Sequence, residues 1–493
     1  MKTPLRFMAA AAVALYAGAP LSAAELSADN QAKLIGSVDA YAPRISEVAL
    51  KIWASPELGY QETKTTALLQ DELRNAGFAI EAAVAGMPTA FVARAGTSDG
   101  PVIAILAEMD ALPGMSQTAD PDRHPIPDQI GGHACGHHLF GTGAVAAAVA
   151  IKSWLEATGT KGQIRVYGTP AEEGGGGKVY MVRAGLFRDV DVTLYLHPAD
   201  ANNASQDRNL ATTSAKFRFH GQSAHAAAAP DRGRSALDAV EAMNFMVNYM
   251  REHMPQEARI HYVITNGGTA PNIVPEFAES FYVVRHPDPR VTGELFERVV
   301  KAAKGAALGT ETMMDYELIS GTYSILPNDV LGRLMDANLH RVGAPTWTPA
   351  EMQFAEKLRK NLPGRSLPPL ASVSEIRKYG YNGQKYSSTD SGDVSWATPL
   401  ATLNTATWVP GTAAHSWQAV AAGGTSIGTK AMVVAAKTLA LTGAQLLQDP
   451  ALIAAAKAEF VTNRGPDFVY KPLIGERAPP LNYRNNASGP DAG

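Results

Sequence analysis

Val102-Ile103-Ala104-Ile105-Leu106-Ala107-Glu108-Met109-Asp110-Ala111-Leu112-Pro113 is the stretch from which the fold is read. Its first six residues form an unbroken apolar run, the pattern of a central strand covered on both faces. The run ends in carboxylates, and in open α/β sheets ligands bind at the carboxyl ends of strands. The same arrangement recurs along the chain. Gln163 to Gly168 reads as a strand and leads into Pro170-Ala171-Glu172-Glu173 and four glycines. Val190 to Leu196 reads as another, ending in His197-Pro198, and Ala401 to Trp408 precedes Gly411-Thr412-Ala413-Ala414-His415. Packing alone gives no reason for ionisable residues at each of these ends.

Gly131-Gly132-His133-Ala134-Cys135-Gly136-His137-His138 holds the only cysteine of the 493 residues, among three histidines. Thiolate and imidazole are ligands for borderline metals such as zinc and manganese. The octapeptide alone is equally compatible with a buried structural cysteine beside surface histidines. It precedes an apolar helix, His138 to Ala157, so a site there would lie where a loop enters a helix. Cys135, His137, Glu173, His197 and His415 together suit two metals with one shared ligand. Two such ions polarise a carbonyl and acidify water. Glu172, adjacent to Glu173, is the candidate general base, taking a proton from water and passing it to a leaving amine. Asp110 either orients a ligating imidazole or caps the turn at Leu112-Pro113. His124, His133 and His138 read as surface residues or outer neighbours of the site.

A chain of this length calls for two or three domains. A net charge of −4 provides no basic patch for nucleic acid. Lys2, Arg6, the apolar run Phe7 to Leu21 and Ser22-Ala23-Ala24 have the layout of an export signal over residues 1–24. A soluble, periplasmic or secreted protein is expected. No later run reads as a membrane span, since Ala431 to Leu447 is interrupted by Lys437. A lone cysteine cannot form an intramolecular disulfide. Residues 25–208 and 321–464 read as an α/β domain, a mixed sheet flanked by helices. From Ala211 the order becomes β-α-β-β-α-β, the ferredoxin-like arrangement, which makes 209–320 an inserted α+β domain. Residues 465–493 read as a draped or disordered tail, and Arg341 to Tyr386 as a pocket-shaping stretch.

Six motifs in order carry a resemblance: Met109-Asp110-Ala111-Leu112-Pro113, His133-Ala134-Cys135-Gly136-His137, Pro170-Ala171-Glu172-Glu173-Gly174, His197, Gly221-Gln222-Ser223-Ala224-His225 and Ala270-Pro271-Asn272-Ile273-Val274-Pro275. They resemble the co-catalytic metallopeptidase family of aminoacylase, hippurate hydrolase and the auxin-conjugate hydrolases. Asp110 to Gln117, Ser388 to Trp396 and Gly411 to Gln418 are most similar to its p-aminobenzoyl-glutamate hydrolase branch. The resemblance implies a zinc-peptidase-like catalytic domain with a lid and dimerisation domain. It also implies two divalent ions (manganese or zinc, with cobalt or nickel as alternatives) on Cys135, His137, Glu173, His197 and His415. Glu172 matches the base. His225 matches an oxyanion-stabilising imidazole that reaches a partner's site in a homodimer or higher oligomer. Asn272 and Arg285 match groups holding the substrate carboxylate. The implied reaction is hydrolysis of N-acyl or N-aroyl amino acids. His138 stands where relatives usually carry Asp or Asn. Glu108 stands where more distant members place a histidine ligand.

Two other readings compete: a thiol hydrolase with Cys135 as nucleophile, and an exported binding protein on the same fold. A serine hydrolase is disfavoured, because the sequence has no Gly-x-Ser-x-Gly elbow.

Overall fold

The computed structural model describes residues 25–484; the expected export signal (1–24) and residues 485–493 lie outside the described residues. The larger sheet has six strands, in the spatial order Ala79–Ala82, Phe91–Gly96, Gln163–Thr169, Val102–Glu108, Val192–Ala199 and Leu400–Ala406. The last four run parallel to one another and Phe91–Gly96 runs antiparallel to both of its neighbours, so the sheet is mixed. Val102–Glu108 is buried almost throughout, as its unbroken apolar run requires. Helices Ala28–Trp53, His137–Thr158 and Ser426–Gln448 pack on one another and on the sheet. Ser27 caps the first of these by accepting from the Asn30 N–H at 3.3 Å. His137–Thr158 stops at Gly159, whose left-handed φ of 66° closes the helix.

Two of these helices, His137–Thr158 and Ser426–Gln448, do have the length and apolarity of a membrane span, contrary to the sequence reading. Both are core helices: most of their apolar surface is buried inside the protein.

The second sheet is antiparallel, in the order Arg259–Asn266, Phe277–His286, Ala211–His220, Met313–Thr322. Helices Ala236–Met250 and Pro289–Thr310 share a separate core with it, built around Phe217, Phe219, Tyr282 and Phe296. Alternation sets the sheet's faces. Ala215, Phe217 and Phe219 turn inward, while Arg218 reaches the carboxylates of Glu279 and Glu317 at 2.8 and 2.6 Å. Arg259–Asn266 is an edge strand, with Val263 and Ile264 exposed.

Several short elements escaped the sequence reading. Gln206–Arg208 and Tyr381–Gln384 form a parallel pair, and Ser391–Ala397 and Trp417–Gly423 are helices. Each is too short for a hydrophobic period to develop. The described part of the tail, from Gly465 onward, is draped: Tyr470, Leu481 and Tyr483 pack against the main core.

Candidate metal centre

The parallel strands deliver their polar residues to one place. Glu108 and His197 lie within the last residues of their strands rather than beyond them. Pairing of Leu112 with Gly132 holds the start of the Cys135 loop against the segment that follows Val102–Glu108. Gly136 turns that loop into the helix at φ 79°, and a Cβ there would sit 2.7 Å from Pro198, so only glycine fits. The turn lets Cys135 and His137 face the same space.

Cys135 Sγ lies 3.5 Å from His197 Nε2, and His415 Nε2 lies 3.2 Å from Glu173 Oε1. The donor atoms of Cys135, His137 and His197 all fall within 4.8 Å of one another, as do those of Cys135, Glu173 and His415. Cys135 belongs to both sets. Beneath them, Asp110 ties the site together. His137 Nδ1 is 3.1 Å from its Oδ1, and its two oxygens accept the Glu172 and Glu173 N–H groups at 3.1 and 2.9 Å. Burial pushes the Asp110 carboxyl upward, but the His137 hydrogen bond and charge outweigh this and hold it below the usual carboxylate range.

The cluster fits divalent cations on two grounds. His137 Nε2 and Glu108 Oε2, 3.1 Å apart, and Glu173 Oε1, 3.2 Å from His415 Nε2, are buried close to one another without a well-aligned hydrogen bond among the described residues. Buried polar atoms are normally satisfied, and ligation would satisfy these. Glu108 and Asp390 also close on a buried ammonium, Lys178, whose charge is felt by Glu172 and Asp110 as well. Its Nζ lies 2.7 Å from Glu108 and 2.6 Å from Asp390. Buried surplus negative charge is costly unless paired or coordinated. Burial raises Glu172 well above the carboxylate range, and the neighbouring Glu108, Glu173 and Asp390 raise it further.

Burial, with the Glu173 charge, also raises the Cys135 thiol well above its ordinary value. That is the wrong direction for a free thiolate nucleophile, whereas a metal-bound thiol is deprotonated outright. That shift weighs against the thiol-hydrolase reading. His133 and His138 are buried rather than on the surface. Their rings lie 4.9 Å apart, and His138 Nε2 is 3.0 Å from the Gly423 carbonyl. Burial takes His138 to about 3, so it packs as a neutral imidazole. His124 is exposed beside Asp120.

Two cavities meet at the Glu172-Glu173 pair. One, of about 420 Å³, is bounded by Cys135, Tyr195, His197, Asn209, Lys385 and His415. The other, of about 220 Å³, is bounded by Thr212, Arg285, Gly321, Ser388 and Ile474. Arg285 donates to the Ser388 hydroxyl at 3.2 Å, and no carboxylate pairs with it among the described residues. His225 and Asn272 border neither cavity. They lie exposed beside each other, where the Ala226 N–H donates to the Asn272 carbonyl at 3.0 Å. Within one chain, Asn272 and Arg285 therefore do not border the same cavity. The strand Phe277–His286 carries Arg285 into the cavity, while Asn272 sits on the loop before it. Of the long stretch from Arg341 to Tyr386, Lys385 reaches the larger cavity.

Sequence reasoning missed Lys178, Asp390 and Glu62. Glu62 is buried, accepts the Ala171 N–H at 2.8 Å and is pushed by burial to about 8. Lys178 opens a short helix after a run of glycines, Asp390 lies in the Ser388 to Trp396 stretch that carries part of the resemblance, and nothing local pointed to Glu62.

A model of peptidase family M20/M25/M40 matches residues 104–322. The chain is 39% identical to one of the component chains of p-aminobenzoyl-glutamate hydrolase from Escherichia coli (strain K12), over 86% of its own length and 93% of that protein. It is 30% identical to the Xaa-Arg dipeptidase of Mus musculus, over 86% and 90% respectively. Its fold is similar to that of a dinuclear metal-binding peptidase of the M20 family from Bacillus subtilis, with TM-score 0.56, 18% identity and coverage of 83% and 99%.

Proposed function

Because the chain belongs to peptidase family M20/M25/M40, we propose that it is a metal-dependent amidohydrolase cleaving N-acyl or N-aroyl amino acids of the p-aminobenzoyl-glutamate kind. The observation that carries this is the pair of ligand sets sharing Cys135, with Glu172 beside Glu173. Cys135, His137 and His197 would hold one divalent ion, and Cys135, Glu173 and His415 the other; manganese or zinc suits these donors, with cobalt or nickel as alternatives. When bound, such ions supply Lewis acidity toward a carbonyl and lower the pKa of water.

The chain's own groups do the rest. Glu172 stands where the two cavities meet and is the group to accept a proton from water and return it to the departing nitrogen. Asp110 holds His137 and the Glu172-Glu173 backbone in register. Arg285, a half-buried cation without a carboxylate partner, suits the carboxylate of the substrate's amino acid. The acyl or aroyl group is then left to the larger cavity beside Tyr195 and Asn209.

His225 and Asn272 are assigned to a second copy's site in a homodimer. Support comes from their exposure and from the open edge strand Arg259–Asn266, flanked by exposed Phe245 and Tyr249. The N-terminal pattern of residues 1–24 supports export to the periplasm or medium.

The test is hydrolysis of p-aminobenzoyl-glutamate and a panel of N-acyl amino acids before chelation, after it, and after return of manganese or zinc. Loss and recovery of cleavage supports the reading. Cleavage that persists in verified metal-free protein refutes it.

A further inference from the structure

The backbone around Glu172 and Glu173 is unusual. Ala171 adopts a left-handed φ of 57°, which costs a non-glycine residue energy and persists only where the surroundings enforce it. Gly174 and Gly176 follow at φ 114° and 69°. Side chains from elsewhere hold this turn group by group. Glu62 takes the Ala171 N–H, Asp110 takes the N–H groups of Glu172 and Glu173, and the Tyr60 hydroxyl donates to the Gly175 carbonyl at 2.8 Å. The Glu173 carbonyl is held by the chain's C-terminal segment. Arg484 donates to it at 2.5 Å and the Tyr483 hydroxyl approaches at 3.4 Å.

The route of that segment is fixed along its length. Tyr470 donates to Asp393 at 2.7 Å, and the Lys471 carbonyl accepts from Tyr323 at 2.8 Å. Arg183 donates to the Gly475 and Arg477 carbonyls at 2.9 and 2.7 Å. Arg477 donates to the Ile319 carbonyl on the last strand of the α+β unit. Leu473 presses on Gly321, leaving no room for a Cβ there, and Ile474 lines the Arg285 cavity. At the far end the Tyr483 ring meets Tyr60 edge-on at 5.8 Å, and its hydroxyl fills the space beside Gly59. The Arg484 guanidinium lies over the Tyr483 ring, 4.8 Å from its centroid.

We propose that residues 465–484 form a strap in which Arg484, braced by Tyr483, is a positioning residue for the turn carrying Glu172 and Glu173. The reading of Glu172 as base rests on the proposed function; the mechanical role of the strap does not. Arg484 lines neither cavity, so its loss should alter the alignment of the pair without weakening substrate binding.

The test uses full-length protein carrying Arg484→Ala, Arg484→Lys or Arg484→Gln. In metal-free protein, hydrogen exchange at the Gly174 and Gly176 amides, which close the turn onto Glu172 and Ala171, should quicken about tenfold in Arg484→Ala. Exchange in the core strand Val102–Glu108 should stay unchanged. In metal-loaded protein, kcat should fall about tenfold with KM within twofold. Arg484→Lys should recover part of the loss, as should millimolar guanidinium added to Arg484→Ala. Arg484→Gln serves where the alanine variant folds poorly, and its exchange should shift in the same direction. Unchanged exchange at the turn overturns the proposal. Quickened exchange in a protein whose wild type cleaves no amide upholds the strap and sinks the amidohydrolase reading instead.

Discussion

Replacing Asp110 with asparagine tests the centre at the point where most of it converges. One carboxylate accepts from two backbone N–H groups and lies against the His137 ring nitrogen, at 3.1, 2.9 and 3.1 Å. Asparagine keeps the shape but turns one oxygen into a donor. Whichever way the amide is placed, an N–H then faces another N–H. If Nδ2 stands in the Oδ2 position, the Glu173 N–H loses its acceptor, and the remaining two contacts lose their ionic partner. A hydrogen bond to a charged group contributes about 1.5–3 kcal/mol, and stranding a buried donor costs about 1–3 kcal/mol. Local relaxation returns part of this, which leaves about 2–3 kcal/mol, or roughly 30- to 150-fold in an equilibrium or rate constant. The loss falls on the alignment of His137 and of the Glu172-Glu173 pair. Asp110→Asn should therefore weaken metal binding about 10- to 100-fold, as loss of a ligand-orienting carboxylate does elsewhere. With saturating metal, kcat should fall by a similar factor. Calorimetric titration of manganese or zinc into chelated protein, with kcat measured at saturating metal, reads both. Metal affinity and kcat each within threefold of wild type would refute the assignment.

The remaining predictions concern the base, the loop and a distant cap. Glu172→Ala should abolish measurable turnover while titration still finds two metal equivalents; near-normal turnover would reassign the base. Gly136→Ala should cost about 1–3 kcal/mol in backbone strain and displace Cys135, because the new methyl meets Pro198 at 2.7 Å. The readout is a lowered melting temperature together with weakened metal binding, and a variant matching wild type in both would contradict the packing. Burial tends to raise Glu351, but Lys430, Ser426 and the Thr348 cap together bring it down to about 2. A depressed carboxylate contributes stability that is fully present above its unfolded pKa, near 4.5, and lost as pH falls through about 2. Lys430 is partly exposed, so after screening Glu351→Gln should cost about 1–2 kcal/mol at pH 7 and little at pH 2. Chemical denaturation of both proteins at the two pH values checks this; an equal cost at both would show that the charge is not the cause.

Much of the α/β architecture was legible because its signals are local. Val102–Glu108 announces itself by its unbroken apolar run, and His137–Thr158 by the apolar residues that follow the Cys135 loop. The five candidate ligands were legible as chemistry at strand ends. Their meeting was not, because residues as far apart as Cys135 and His415 come within reach only once four parallel strands stand side by side. Lys178 shows the limit. In sequence it opens a short helix, and in the fold it is wholly buried between Glu108 and Asp390, which lies 212 residues away.

The sequence by itself determined the strands and helices and the kinds of atoms at the strand ends, since periodicity and donor chemistry reside in short stretches. Tertiary structure alone decided which of those atoms share a space. It left His225 and Asn272 out of their own chain's cavities, brought Arg285 into one, buried His138 as a neutral ring and carried Arg484 to the Glu173 carbonyl. Each of those outcomes depends on long-range packing and on exclusion of water, and no local run of residues encodes either.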